Sequence, residues 1–178
     1  LHNWTGIGLG VLLFCIGVIN ATTNQILIHH WDAKRFFGEV LFVMFFGTFV
    51  QYFVRWFDSI GVNTAPIMWR LVLSCTGISL FCVGISLYQR ANIVMHPNDD
   101  TTNILRFMYL KGNATASQLL DFLPPLIVCA IAYFPTGRVD SINLATLFSI
   151  LFNGVIIAAA DRYIWPHLTH NFKAKANV

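Results

Sequence analysis

Leu13-Phe14-Cys15-Ile16-Gly17-Val18 recurs 67 positions later as Leu80-Phe81-Cys82-Val83-Gly84-Ile85. Four of the six positions are identical and the other two exchange Ile and Val. The register holds beyond the motif: Gly17 precedes Asp32 by the same interval as Gly84 precedes Asp99, and His29 falls on His96. Each copy lies inside a long apolar segment. Duplicated apolar segments are a common way to build a transporter, with the site placed where the halves meet.

Composition sets the solvent. Of 178 residues, 56% are hydrophobic and only 11% are charged, whereas a soluble domain carries about 25% charged residues. The polar surface is too small to cover a soluble core, so the chain reads as an all-α polytopic bundle in a lipid bilayer. The net charge of +3 is dispersed and forms no basic stripe for nucleic acid. Cys15, Cys75, Cys82 and Cys129 lie in apolar segments without a Cys-x-x-Cys pair, as small packing residues do. With no nucleophile elbow and no Walker loop, neither an enzyme nor a cofactor is expected. Active transport would need an ion gradient or an energising partner. No cleavable leader is expected, because the first segment lacks a basic flank.

Five segments are long enough to cross about 30 Å of hydrocarbon: residues 4–28, 37–57, 67–88, 116–134 (interrupted by Pro124-Pro125) and 142–165. Residues 99–117 hold a short apolar patch that cannot span. It reads as an interfacial or re-entrant helix, with its N-cap within 99–102 and its C-cap at Gly112-Asn113. A second register ties the halves: Asp58-Ser59-Ile60 and Thr64 recur as Asp140-Ser141-Ile142 and Thr146, at offset 82. The difference from 67, 15 residues, falls in the short helix. At this offset Glu39 aligns with Asp121. The chain therefore reads as a single membrane domain, 1–178. Repeat one covers about 4–65, repeat two about 71–147, the closing helix about 142–165 and the tail 166–178. Without a sixth crossing the repeats are parallel. Lys34, Arg35, Arg90, Arg106, Lys111, Arg162, Lys173 and Lys175 fall on one side, against Arg55, Arg70 and Arg138 on the other. By the positive-inside rule the first side is cytoplasmic and the N-terminus lies outside.

Ionisable and amide side chains within such segments are candidate functional groups. Asn20, Thr22, Thr23, Asn24 and Gln25 end an otherwise apolar helix, and Asn20 and Asn24 share one face. They face either protein and a cavity or the headgroup layer. A small-molecule site would draw on Asn20, Asn24 and Gln25 with His29, Trp31 and Asp32. The second copy would add Asn92, His96 and Asp99, and Trp69 offers a flat ring. His29, His30 and His96 lack metal-ligand spacing, so an interfacial loop or hydrogen bonding to a solute is favoured over a metal. Asp161 adjoins Arg162 and reads most simply as a helix-end ion pair. Glu39 and Asp121 read as solvated helix-start charges or as a pair with a shared role.

Gly84-Ile85-Ser86-Leu87-Tyr88, Ala91-Asn92, Pro97 and Asp99, together with Gly17 and Trp31-Asp32, resemble the helix-end motif of the YczE/YyaS/YitT-type small bacterial membrane proteins. The glycines usual before that family's Pro-Trp-Asp turn are replaced by Leu27, His29, Val94 and His96. The size and span count are also similar to the substrate-binding S components of energy-coupling factor vitamin transporters. That likeness implies docking on a transmembrane coupling protein and its ATPases, and Gly6, Gly10, Gly154 and Ala158 supply small-xxx-small spacing for it. Two functions follow as expectations. One is a multi-pass cell-membrane protein binding a small, mostly neutral polar or heterocyclic solute of vitamin type. The other is a non-transporting accessory or assembly protein.

Overall fold

The structure, a computed structural model, describes Gly6, residues 9–137 and residues 142–172. Among them every regular element is helical: α1 (Leu9–Leu27), α2 (Ala33–Ser59), a 3₁₀ turn (Val62–Thr64), α3 (Ile67–Ala91), α4 (Pro97–Ile104) running into a π turn (Leu105–Tyr109), α5 (Ala114–Asp121), α6 (Leu123–Thr136) and α7 (Leu144–Tyr163). Five stretches are long and apolar enough to cross a membrane: α1, α2, α3, α7, and Ala114–Ile131, which runs through α5 into α6. The chain is a multi-pass membrane protein. Trp4, Arg138, Asp140, Ser141, Lys173 and Lys175, which enter the sequence argument, lie outside the described residues.

Helix boundaries follow local chemistry. Asp32 caps α2 by accepting the Arg35 N–H at 3.1 Å, and its own N–H donates to Gln25 Oε1 at 2.7 Å. The end of α1 is thereby bolted to the start of α2. Asn92 ends α3 in the left-handed region at φ 51°, which Asn tolerates better than most residues. Pro124 and Pro125, at the start of α6, lack N–H donors and mark the break at Phe122. Asn143 and Thr146 form a capping box on α7.

Two of the sequence expectations are corrected here. The short helix begins at Pro97, not within 99–102, because His96 Nδ1 accepts the Asn98 N–H at 3.2 Å and Pro97 suits the first helical position. Asn113 does not close a helix; its side chain accepts the Ala116 N–H at 3.0 Å and opens α5. The short helix does not cross: its partners lie at the end of α1, at the end of α3 and in α5. Ile104 is fully buried, so protein, not lipid, satisfies this non-spanning backbone.

The packing is less symmetric than the repeat. α1 packs along α2, and Gly17 permits it, since a Cβ there would meet Val43 Cγ2 at 2.7 Å. The repeat-equivalent Gly84 has nothing within 4 Å. In the second half α7 intervenes: α3 lies along α7, and α7 lies along α5. That second contact depends on Gly154, where a Cβ would fall 2.5 Å from Thr115 Cα. α4 bridges the lobes, touching α1 and α5. Of the 27 residues of α2, only Glu39 and Val43 are buried; Phe37, Phe45, Phe49, Phe53 and Phe57 are exposed, as a lipid-facing surface requires.

Candidate functional site

Two cavities flank α4. The first, about 300 Å³, opens between the lobes. Ile16 and Gly17 of α1, Phe42 and Phe46 of α2, and Phe81 of α3 make its walls, while Asn20, Tyr88, His96, Asn98 and Asp99 make a polar floor. The Asn20 amide donates to Asn98 Oδ1 at 3.0 Å, and the Asn98 amide donates to Asp121 Oδ2 at 2.6 Å. The Tyr88 hydroxyl donates to Asp99. The His96 ring stands edge-on to Phe42 at 5.8 Å and tilted to Phe46 at 5.0 Å. A planar solute with hydrogen-bonding edges suits these surroundings: rings on the walls, donors and acceptors below.

Burial shapes the floor's charges. It lowers His96 to about 4, so the ring is neutral and Nδ1 stays free to accept. Burial raises Asp99 to about 6; Tyr88 pulls it down, and the adjacent Asp100 pushes it up.

The second cavity, about 250 Å³, lies on the opposite side of α4 at the end where α1, α3 and α7 finish. Asp32, Lys34, Arg35 and Glu39 line it from the start of α2, and Asn92, Met95 and Asp100 close it. Arg35 Nε lies 3.0 Å from Asp100 Oδ2, with both side chains buried. Between the cavities sits Asn24, fully buried. It donates to Glu39 Oε2 at 3.1 Å and to Pro97 O at 2.8 Å, and it accepts from Thr101 Oγ1 at 2.7 Å.

The structure thus brings Asn20, His96 and Asp99 to one cleft, and Asp32 and Asn92 to the other cavity. Asn24 and Gln25 are engaged inside the protein rather than aimed at a solute. His29 meets the Tyr109 hydroxyl at 3.2 Å, with a backbone φ of 61°. Trp31 is exposed and packs on Phe36. Trp69 is exposed at the far end of α3 from both cavities. The three histidines do not converge: His30 Nδ1 bonds its own turn at Ile28 O, and no described cluster of three groups could hold a metal ion.

Asp161 does not pair with its neighbour Arg162, whose guanidinium lies over Tyr163. It accepts from Ser86 at 2.7 Å and meets Arg106 Nη2 at 2.7 Å, with Arg90 Nε at 3.6 Å. Arg90, 1% exposed, donates to Ile164 O, Trp165 O and Leu168 O, fastening the tail to α3. Arg35, Arg90 and Arg106 are therefore structural cations, leaving Lys34, Lys111 and Arg162 exposed at this end among the described residues. Gly154 is filled by α5, and Gly6 precedes α1 with φ 70°. Gly10 and Ala158, the other members of the two small-residue pairs, are exposed, and a Cβ at Gly10 would meet nothing within 4 Å.

The sequence reading passed over Asn98, Asp100 and Tyr88. The run His96-Pro97-Asn98-Asp99-Asp100 was the available signal, a cluster of polar groups beside a helix start.

A family model of unknown function, DUF6198, matches residues 1–162. The chain belongs to that family. The match takes in all five spans and both cavities, and stops before the tail that Arg90 holds. No curated protein and no solved structure matches the chain.

Proposed function

We propose that this is a binding and transport protein of the cell membrane, taking a small, mostly neutral, polar or heterocyclic solute in the cleft between its lobes. The observation that carries the reading is the cleft itself. It has aromatic walls and a floor of amides, a phenol and a carboxyl, and it lies where the two repeat halves face each other. Hydrogen bonds in such a water-poor site discriminate strongly, because a wrong solute leaves them unmade. The likeness to vitamin-transporter S components supports the solute class. It lends less to their mode of docking, since Gly154 already holds α5.

Native mass spectrometry and thermal melting against a panel of vitamins and N-heterocycles test this. A solute that co-purifies or raises the melting temperature is expected, with affinity weakened about tenfold, about 1.4 kcal/mol, in Asn20→Ala. Purified protein that carries no small molecule and ignores the panel would defeat the proposal.

A second reading, an accessory protein of the YczE type, is favoured by one observation: Asn24, Gln25 Oε1 and Asp161 are each hydrogen-bonded to other groups of the protein itself. The same mass spectra would then show a bound protein partner and no solute.

A further inference from the structure

Glu39 is the one glutamate in the sequence, and it is 2% exposed within a lipid-facing helix. Its carboxyl lies within hydrogen-bond reach of the Asp100 carboxyl, which is fully buried. Asn24 satisfies Glu39 Oε2, while Oε1 has no partner; neither Asp100 oxygen has a hydrogen-bond donor beyond the ion pair to Arg35. Two buried carboxyls thus share one guanidinium. If both were ionised, a negative charge would stand uncompensated away from water, which is costly. Touching carboxyls relieve that cost by holding one proton between them.

We propose that Glu39 and Asp100 form a proton-binding site whose occupancy is coupled to solute binding in the cleft. The inference rests on the transport reading above and supplies the energy source that a chain without a nucleotide-binding loop needs. Loading breaks one O–H bond of a hydronium ion in the water of the 250 Å³ cavity and forms one carboxyl O–H bond, leaving neutral water; release reverses both changes.

The charged and titratable groups around the pair come from every neighbouring element. α2 brings Asp32, Lys34 and Arg35; α4 brings Asp99; α3 brings Tyr88; and α5 brings Asp121 through Asn98. His96 caps α4, and α1 presents only amides. Asp99 and Asp100, adjacent on α4, line the two different cavities. Asn24 links the proton site to the same helix through Pro97 O and Thr101. A change of charge at Glu39 therefore pulls on the helix whose first turn floors the cleft.

Because Glu39 is the lone glutamate, carboxyl-¹³C glutamate labels it in the unaltered protein. Isotope-edited infrared spectra in nanodiscs should show a protonated carboxyl in neutral buffer that ionises as the buffer is made alkaline. A labelled carboxylate band throughout neutral and mildly acidic buffer would overturn the proposal. Solute affinity, measured with whichever panel member binds, should change about tenfold between acidic and alkaline buffer and lose that dependence in Glu39→Gln. An affinity indifferent to both would refute the coupling while leaving the transport reading intact. If no solute binds, the transport reading and the coupling fall together, while titration of the label still decides whether the pair binds a proton.

Discussion

His96 and Asp99 sit three residues apart at the mouth of the short helix and respond to acid in opposite senses. His96 is lowered to about 4 by burial, against an ordinary value of about 6.5. Its neutral ring therefore contributes fully above about 6.5 and loses that contribution as pH falls towards 4. Asp99 is raised to about 6. Its contribution is complete below the ordinary carboxylate value of about 3.9 and is lost as pH rises through about 6. Between about 4 and 6 the two partly cancel. Thermal melts in micelles should show His96→Asn, which keeps a capping acceptor, gaining stability relative to wild type as the buffer is acidified. Asp99→Asn should show the reverse. Identical pH slopes in all three proteins would contradict this account of the floor.

At the scale of the helices, three glycines at equivalent or comparable places have different duties. Gly84 faces open space, so Gly84→Ala should be neutral or stabilising by up to about 1 kcal/mol through helix propensity. Gly17→Ala presses on the Val43 side chain, which has limited room to turn, and should cost about 1–3 kcal/mol. Gly154→Ala collides with the backbone at Thr115, which cannot turn aside, and should cost the most. Reversible unfolding in mixed micelles would rank them; a worst effect at Gly84 would contradict the packing. This ranking also shows what could be read in advance. Repetition of Leu13–Val18 at Leu80–Ile85 predicts two helices of like character, and it does so because apolar length and pattern are local. It does not disclose that α7 packs along α5 as well as α3, because the α5 contact is made by Gly154 against Thr115. The amides after Asn20 stood out for the same local reason. For Asn20 and Asn24, whether they faced solute or protein depended on Asn98 and Pro97, more than 70 residues away.

For the molecule as a whole, α1, α3 and α7 end on one side, where α4, both connecting loops and the tail gather. The 3₁₀ turn lies on the other. In a cysteine-free background, Ile93→Cys and His167→Cys should react with an impermeant maleimide from one side of sealed vesicles, and Asn63→Cys from the other. By the positive-inside rule, labelling at positions 93 and 167 is expected from the cytoplasmic side. Labelling of positions 93 and 63 from the same side would break the five-span topology. The family match ends at residue 162, just where the carbonyls that receive Arg90 begin.

That Arg90 clasp has a consequence for biosynthesis. The guanidinium reaches the bilayer boundary with α3, yet its acceptors at Ile164, Trp165 and Leu168 are made 74 to 78 residues later. Until that later stretch is made, Arg90 has only Ser86 O of its own helix among these carbonyl acceptors. The segment that follows α7 is thus the one that lets α3 settle.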